Sequence, residues 1–180
     1  LSWTQDTLDS LDFPASGTAQ SLTYYNSPTT LDADNAFQTL SLTWTQPYTL
    51  KQSTLIPRIR LAGRLDGTLA VQDLFRLGGF LNLSGFQTGE VSGEYIALGQ
   101  LIYMHRLTDT SAAFTIPVFA GGSLEVGGAW NEVDEISFDS LIPAGSLFLG
   151  ADTPLGPAYL GAGYAQGGNA SLYLLLGRLF

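Results

Sequence analysis

Long runs of strictly alternating apolar and polar residues constrain this chain more than any other feature. From Thr54 to Leu65, the residues Leu55, Ile59, Leu61, Gly63 and Leu65 share one parity, while Arg58, Arg60 and Arg64 share the other. From Phe114 to Trp130 one face reads Phe114, Ile116, Val118, Ala120, Leu124, Val126 and Trp130, against Thr115, Ser123 and Glu125. From Asn35 to Tyr48, Leu40, Leu42, Trp44 and Tyr48 oppose Thr39, Ser41, Thr43 and Thr45. A period of two is that of a β-strand, whose successive side chains point to opposite faces. The runs reach about 9–14 residues, beyond the ~5–6 typical of soluble strands and sufficient to cross a bilayer at a tilt. Lipid offers no partner to a backbone N–H or C=O, so only helices and closed sheets span it. The pattern therefore predicts an all-β, antiparallel transmembrane β-barrel, with alternate residues in lipid and lumen. The aromatics Trp44, Tyr48, Tyr95, Tyr103 and Trp130 fall near strand ends, where interfacial girdles form.

Nine strands are expected: 1–8, 18–26, 35–48, 53–65, 91–107, 114–130, 144–152, 157–166 and 171–180. Tight turns join the last three, at Thr153–Pro157 and Gly167–Asn169, and one long connection runs over about 66–90. Single-chain bacterial barrels normally have an even strand number. With about 8–9 strands present, either the first segment is not a full strand or residues 1–180 form part of a larger barrel. The chain opens at Leu1 without Met, basic n-region or apolar h-region, and is read as a mature fragment or excised domain.

Composition agrees with this reading. Only 13% of residues are charged, against about 25% in soluble domains. A net charge of −9 argues against nucleic-acid binding, which needs a basic footprint. The absence of cysteine excludes disulfides and thiolate metal sites. The uncharged stretch Thr153–Gly177 is long enough for a membrane helix, but two prolines, a Gly-Gly-Asn turn and flanking alternation favour a hairpin. A soluble β-sandwich is the rival architecture, disfavoured by the long apolar faces and the terminal Phe180.

No catalytic constellation emerges. There is no G-x-S-x-G elbow and no nucleophile–base pair. His105 is the single histidine, so a His-based metal site is not expected; no metal and no cofactor is called for. The carboxylates gather in connections: Asp6, Asp9 and Asp12; Asp32 and Asp34; Glu132, Asp134 and Glu135. They read as solvated loop faces. The charges with inward phase, Arg58, Arg60, Arg64, Glu94 and Glu125, are read as a lumen set. Burial makes unpaired charge costly, so pairing or water is expected. They would staple the barrel or steer a translocating chain or solute.

The connection Phe75-Arg76-Leu77-Gly78-Gly79-Phe80, followed by Leu83-Ser84-Gly85-Phe86, resembles the sixth extracellular loop of the outer-membrane assembly-factor superfamily, the bacterial surface antigen family. In that family the loop folds back into the lumen and its tip reads Arg-Gly-aromatic, the arginine meeting the barrel wall. Ser84 stands at that arginine's place. Leu11-Asp12-Phe13-Pro14-Ala15-Ser16-Gly17 resembles the family's periplasmic Phe-Pro-x-x-Gly turn, and Asp152-Thr153-Pro154-Leu155-Gly156-Pro157 the turn before its last two strands. Gly177-Arg178-Leu179-Phe180 looks like the C-terminal signal read by the barrel assembly machinery. Four strands before the loop and five after it match the last nine of a sixteen-strand barrel. The tip, together with Phe148–Pro157, is similar to one branch, the patatin-like phospholipase (type Vd) autotransporters.

The resemblance implies a non-catalytic anchor or translocator in a bacterial outer membrane, any lipase chemistry residing in a separate N-terminal patatin domain. Phe75, Arg76, Gly78, Gly79, Leu83, Ser84, Gly85 and Phe86 would form the plugging or bracing loop; Gly177, Arg178 and Phe180 would carry the assembly signal. The implied partners are outer-membrane lipids, the assembly machinery during insertion, and a second copy or upstream strands that complete the sheet. The alternative is a stand-alone pore. An eight-strand barrel has an interior filled by side chains, so conduction would need more strands.

Overall fold

The computed structural model describes residues 1–27, 36–108 and 116–177. Nine strands follow one another in antiparallel order: β1 (Ser2–Asp6), β2 (Ala19–Ser27), β3 (Phe37–Thr45), β5 (Ser53–Gly67), β8 (Tyr95–Arg106), β9 (Val118–Trp130), β10 (Ile142–Thr153), β11 (Gly156–Ala165) and β12 (Asn169–Leu176). A short β4 (Tyr48–Leu50) folds back on β5, and β6 (Phe75–Leu77) pairs with β7 (Val91–Gly93) as a separate hairpin within the long connection. Four strands of the main path thus precede that connection and five follow it. Among the described residues β1 and β12 do not pair, so the sheet keeps two edges.

The strand boundaries follow local chemistry. The run 35–48 divides because Pro47, lacking an N–H, ends the ladder after Thr45. The run 91–107 divides at Glu94, between the loop hairpin and the wall. The register of β3 against β5 shifts between Gln38 and Thr39, which face Asp66 and Arg64, so Leu65 is the bulged residue. Residues 153–177 form a hairpin; Thr153 Oγ1 donates to the Gly156 carbonyl (2.6 Å) across its lead-in turn. Residues 35 and 114–115 of the expected runs lie outside the described residues, as do Asp32 and Asp34.

One face of the sheet is apolar and uncovered. Leu124 (71% exposed), Leu147 (76%), Leu172 (86%) and Leu174 (84%) stand on it, with Leu42, Leu55, Ile59, Leu61, Leu101 and Leu160 alongside. Soluble monomers rarely expose contiguous apolar patches beyond a few hundred Å², so this face is built for a non-aqueous neighbour. Trp130, expected with that set by parity, is instead buried. Its ring covers Gly128 and its indole N–H donates to Ser140 Oγ (2.7 Å), in the pair of 3-10 turns Val133–Glu135 and Phe138–Ser140.

The opposite face differs from the polar lumen that the sequence suggested. Ile56, Ile102, Met104, Phe148 and Tyr159 on the wall join Phe13, Phe80 and Leu81 in one buried cluster. Ala62, Ile96 and Leu98 join Leu77 and Leu83 in a second. All eight of these wall residues lie on the face of the inward arginines and Glu125; the inner surface is apolar where the connections cover it, because there it meets protein and not water.

Candidate functional site

The inner face receives chain from both ends. From one end comes the connection 68–94. Its hairpin β6–β7 leads to a compact tip in which Gly78 N–H donates to the Asn82 carbonyl (2.6 Å) and Gly79 N–H to that of Phe86 (3.1 Å). Leu83 and Ser84 are fully buried. The backbone N–H groups of Leu83 and Ser84 donate to Glu125 Oε2 (2.6 and 2.9 Å), and Ser84 Oγ donates to Oε1 (2.6 Å). Ser123 Oγ donates to the same Oε1 (2.5 Å) and lies 2.8 Å from Ser146 Oγ. A carboxylate accepting from four donors has its charge dispersed over well-placed hydrogen bonds, as burial requires.

Ser84 thus meets the wall through its hydroxyl and through two backbone N–H groups, its own and that of Leu83. Leu81 and Leu83 take left-handed backbone conformations (φ 52° and 72°), a strain of about 1–2 kcal/mol each for an L-residue. That strain turns the Leu83 and Ser84 N–H groups toward one oxygen. Gly85 follows at φ 105°, where an added Cβ would run into the backbone of Tyr164–Ala165 and Asn169. Its N–H donates to Tyr173 Oη (2.9 Å), its carbonyl accepts from Ser171 Oγ (2.7 Å), and Tyr173 Oη donates to the Phe86 carbonyl (3.0 Å). The tip is therefore bound to β9 and to β12 together.

Of the loop residues singled out, Phe75 and Phe86 pack on the second apolar cluster, Arg76 turns to the Val71 carbonyl (3.3 Å), and Gly78 and Gly79 shape the inner turn. The charges do not form one staple. Arg64 pairs with Glu94, approaches Glu132 (3.8 Å) and lies over the Tyr95 ring (5.9 Å). Arg60 donates to the loop, at Asn82 Oδ1 (3.3 Å) and the Arg76 carbonyl (3.4 Å). Arg58 lines an interior cavity with Asp6 and Asp12, and Glu125 is among its charged neighbours. Glu125, expected among barrel staples, serves the loop tip. The carbonyl of Leu81 accepts from Gln100 Nε2 (2.8 Å).

From the other end comes the segment between β1 and β2. Phe13 is buried, stacked on Phe119 (4.4 Å between centroids) and on Tyr159 (5.2 Å). Tyr159 Oη donates to the Asp12 carbonyl (3.1 Å), and Thr49 Oγ1 donates to that of Ala15 (2.6 Å). Phe80 of the loop reaches Tyr159 (5.5 Å) and meets Phe148 edge-on (5.4 Å). Tyr159 and Tyr173 were not singled out in the sequence, and Phe13 was noted only as part of the Phe-Pro-x-x-Gly turn, without a place in the interior. The alternation Ser171-Tyr173-Leu175 against Leu172-Leu174-Leu176 carried the signal for Tyr173 and Tyr159's strand carried its own. For Phe13, in a non-periodic turn, the turn motif was the only signal, and it gave no inward direction.

Of the assembly-signal residues, Gly177 follows β12 with its N–H on the Pro157 carbonyl (2.8 Å); Arg178 and Phe180 lie outside the described residues. The carboxylates of the connections hold local turns: Asp9 Oδ1 accepts from the N–H groups of Ala15 (2.9 Å) and Ser16 (3.0 Å), and Glu135 Oε2 from those of Asn131 (3.0 Å) and Glu132 (3.2 Å). His105 sits at a strand end, its Nδ1 2.9 Å from Ser53 Oγ.

An antiparallel wall, apolar outside and closed inside by a loop lodged on it, defines a part of a β-barrel with an inward-folded loop. The sequence matches no protein-family model and no curated protein. The fold matches the crystal structure of BamA from Haemophilus ducreyi lacking POTRA domains 1–3, with a TM-score of 0.74 at 13% identity. The match covers 97% of this chain and 40% of that one, so the chain has the fold of part of the BamA barrel.

Proposed function

We propose that this chain is the outer-membrane β-barrel part of a larger bacterial protein, serving as its non-catalytic anchor or translocator. The observation that carries the reading is the loop tip held on the inner wall at Glu125, beneath an outer face of uncovered leucines. Outer-membrane lipid covers that face. In this reading the edges β1 and β12 pair with further strands of the same barrel or with a second copy, since an unpaired edge in lipid leaves backbone groups without partners. The barrel assembly machinery inserts the protein, reading Gly177, Arg178 and Phe180. The motifs around Ser84 and Pro154 support a patatin-like autotransporter, whose lipase domain is separate from these residues. A lumen filled from both ends favours an anchor over an open pore.

The test is heat-modifiability on a gel after refolding into detergent or liposomes. A compact species that boiling converts to a slower band is expected. A freely soluble, folded monomer without detergent would overturn the membrane reading.

A further inference from the structure

The outward face carries a groove of about 480 Å³, separate from the lumen. Its floor is Ala120 and Gly122 of β9, where no side chain rises beyond a methyl group. Tyr103 and His105 of β8 flank it on one side, paired with Gly122 and Ala120, and Leu147 of β10 flanks it on the other, opposite Gly122. The exposed Leu124 closes it toward the middle of the wall. The groove opens at the rim away from the loop tip. At that rim stand the single lysine and the single histidine of the chain, on neighbouring strand ends. Lys51 is exposed in the turn before β5, and Ser53, two residues on, faces His105 across the ladder. Ser53 Oγ lies 2.9 Å from His105 Nδ1 and 3.0 Å from Tyr103 Oη. With Nδ1 engaged, Nε2 has no hydrogen-bond partner among the described residues. Of the described carboxylates at the same rim, Asp6 and Asp12 line the interior cavity, Asp9 is held by the N–H groups of Ala15 and Ser16 in the β1–β2 turn, and Asp152 has the inward parity of Phe148 on β10. The residues that line the groove include His105 and no carboxylate, on a protein of net charge −9.

We propose that this groove binds one anionic glycerophospholipid. The upper part of an acyl chain lies on Ala120 and Gly122, and the headgroup phosphate meets His105 Nε2 and the Lys51 ammonium. An apolar trough that ends in hydrogen-bond donors and positive charge matches an amphiphile of that polarity, and each basic residue near a membrane surface favours anionic lipid by about fivefold. The proposal rests on the membrane-spanning reading, yet fails separately from it.

The experiment is native mass spectrometry of the protein in nonionic detergent, with phosphatidylglycerol and phosphatidylcholine of equal chain length. One retained phosphatidylglycerol per chain is expected, preferred about tenfold over phosphatidylcholine. The Lys51→Ala, His105→Ala double variant should lose the preference, and Ala120→Leu, which fills the floor, should lose retention of both lipids. Equal retention of the two lipids, or a preference that survives the double variant, would overturn the proposal. Band shift on boiling certifies that each variant is folded; should the double variant fail it, Lys51→Glu at the exposed turn must abolish the preference by itself. A protein soluble without detergent sinks the membrane reading, whereas a heat-modifiable barrel without lipid preference sinks this inference alone.

Discussion

At one mouth of the lumen the loop tip is fixed by three hydrogen bonds to the Glu125 carboxylate, whereas at the other the β1–β2 segment is fixed by the Phe13 ring between Phe119 and Tyr159. Both segments end in the same buried cluster, yet they hold by different means. Hydrogen bonds to a buried carboxylate are directional, so the tip needs left-handed Leu81 and Leu83 and the conformational freedom of Gly85 to present its donors. Stacking and apolar burial tolerate small displacements, so the Phe13 segment needs only a ring of suitable size on a short tether. A loop held through its backbone also depends less on which side chain stands at the tip.

The comparison is broken most severely at Glu125. Glu125→Ala removes the acceptor of two fully buried N–H groups and two hydroxyls, and each stranded buried donor costs about 1–3 kcal/mol. A loss of about 4 kcal/mol is expected in urea unfolding followed by tryptophan fluorescence in detergent, together with protease sensitivity in 78–90. An unchanged midpoint would mean that the tip is held by Tyr173 and Ser171 instead. Phe13→Ala comes next. Truncating a buried phenylalanine typically costs about 3–5 kcal/mol, and a rim segment relaxes more readily than a core, so about 3 kcal/mol is expected, with the loop region still protected from protease. If Phe13→Ala also frees the loop, the two closures are one cooperative unit.

A double-mutant cycle sharpens that last point. Phe13 and Phe80 both contact the Tyr159 ring, Phe13 stacked and Phe80 tilted. Aromatic pairs contribute about 0.5–1.5 kcal/mol beyond area, and neighbours sharing a partner couple. Phe13→Ala with Phe80→Ala should depart from additivity by about 1 kcal/mol. Strict additivity would show that the wall isolates the two ends.

These two regions were unequally legible in the sequence. The nine strands and the apolar outer face could be read because a half-covered sheet writes its burial directly as period two, from Leu55-Ile59-Leu61 to Leu172-Leu174-Leu176. The loop residues were picked out by the resemblance of their motif to a known loop, and Gly78, Gly79 and Gly85 of that motif take positive φ. Phe13 could be read only as part of the Phe-Pro-x-x-Gly turn and not as an interior residue: a turn has no period, and nothing local distinguishes an aromatic that enters the lumen from one at a membrane interface. The same gap concealed the apolar interior. Ile56, Ile102, Met104 and Phe148 stand on the lumen parity beside Arg58, Gln100 and Ser146, and their apolar character has meaning only once the segments that cover them are known. Trp130 shows the converse, a correct parity overridden by the 3-10 turns folded over it.

The smallest expected effect concerns the turn that carries Phe13. Burial acts to raise the Asp9 carboxyl, but the N–H groups of Ala15 and Ser16 outweigh it and hold the group below its ordinary value. A carboxyl depressed in the folded protein stabilises the fold above its unfolded pKa, and that contribution is lost as pH falls through the folded value. Asp9→Asn should therefore lower the thermal midpoint slightly at neutral pH, and the gap to the unsubstituted protein should close as pH drops below the ordinary aspartate range. Asp9 is largely exposed, so screening keeps the effect small. If the gap instead persists at low pH, the substitution acts through the shape of the turn and not through its charge. The tether of Phe13 then depends on geometry alone, and its contrast with the carboxylate-held loop tip becomes complete.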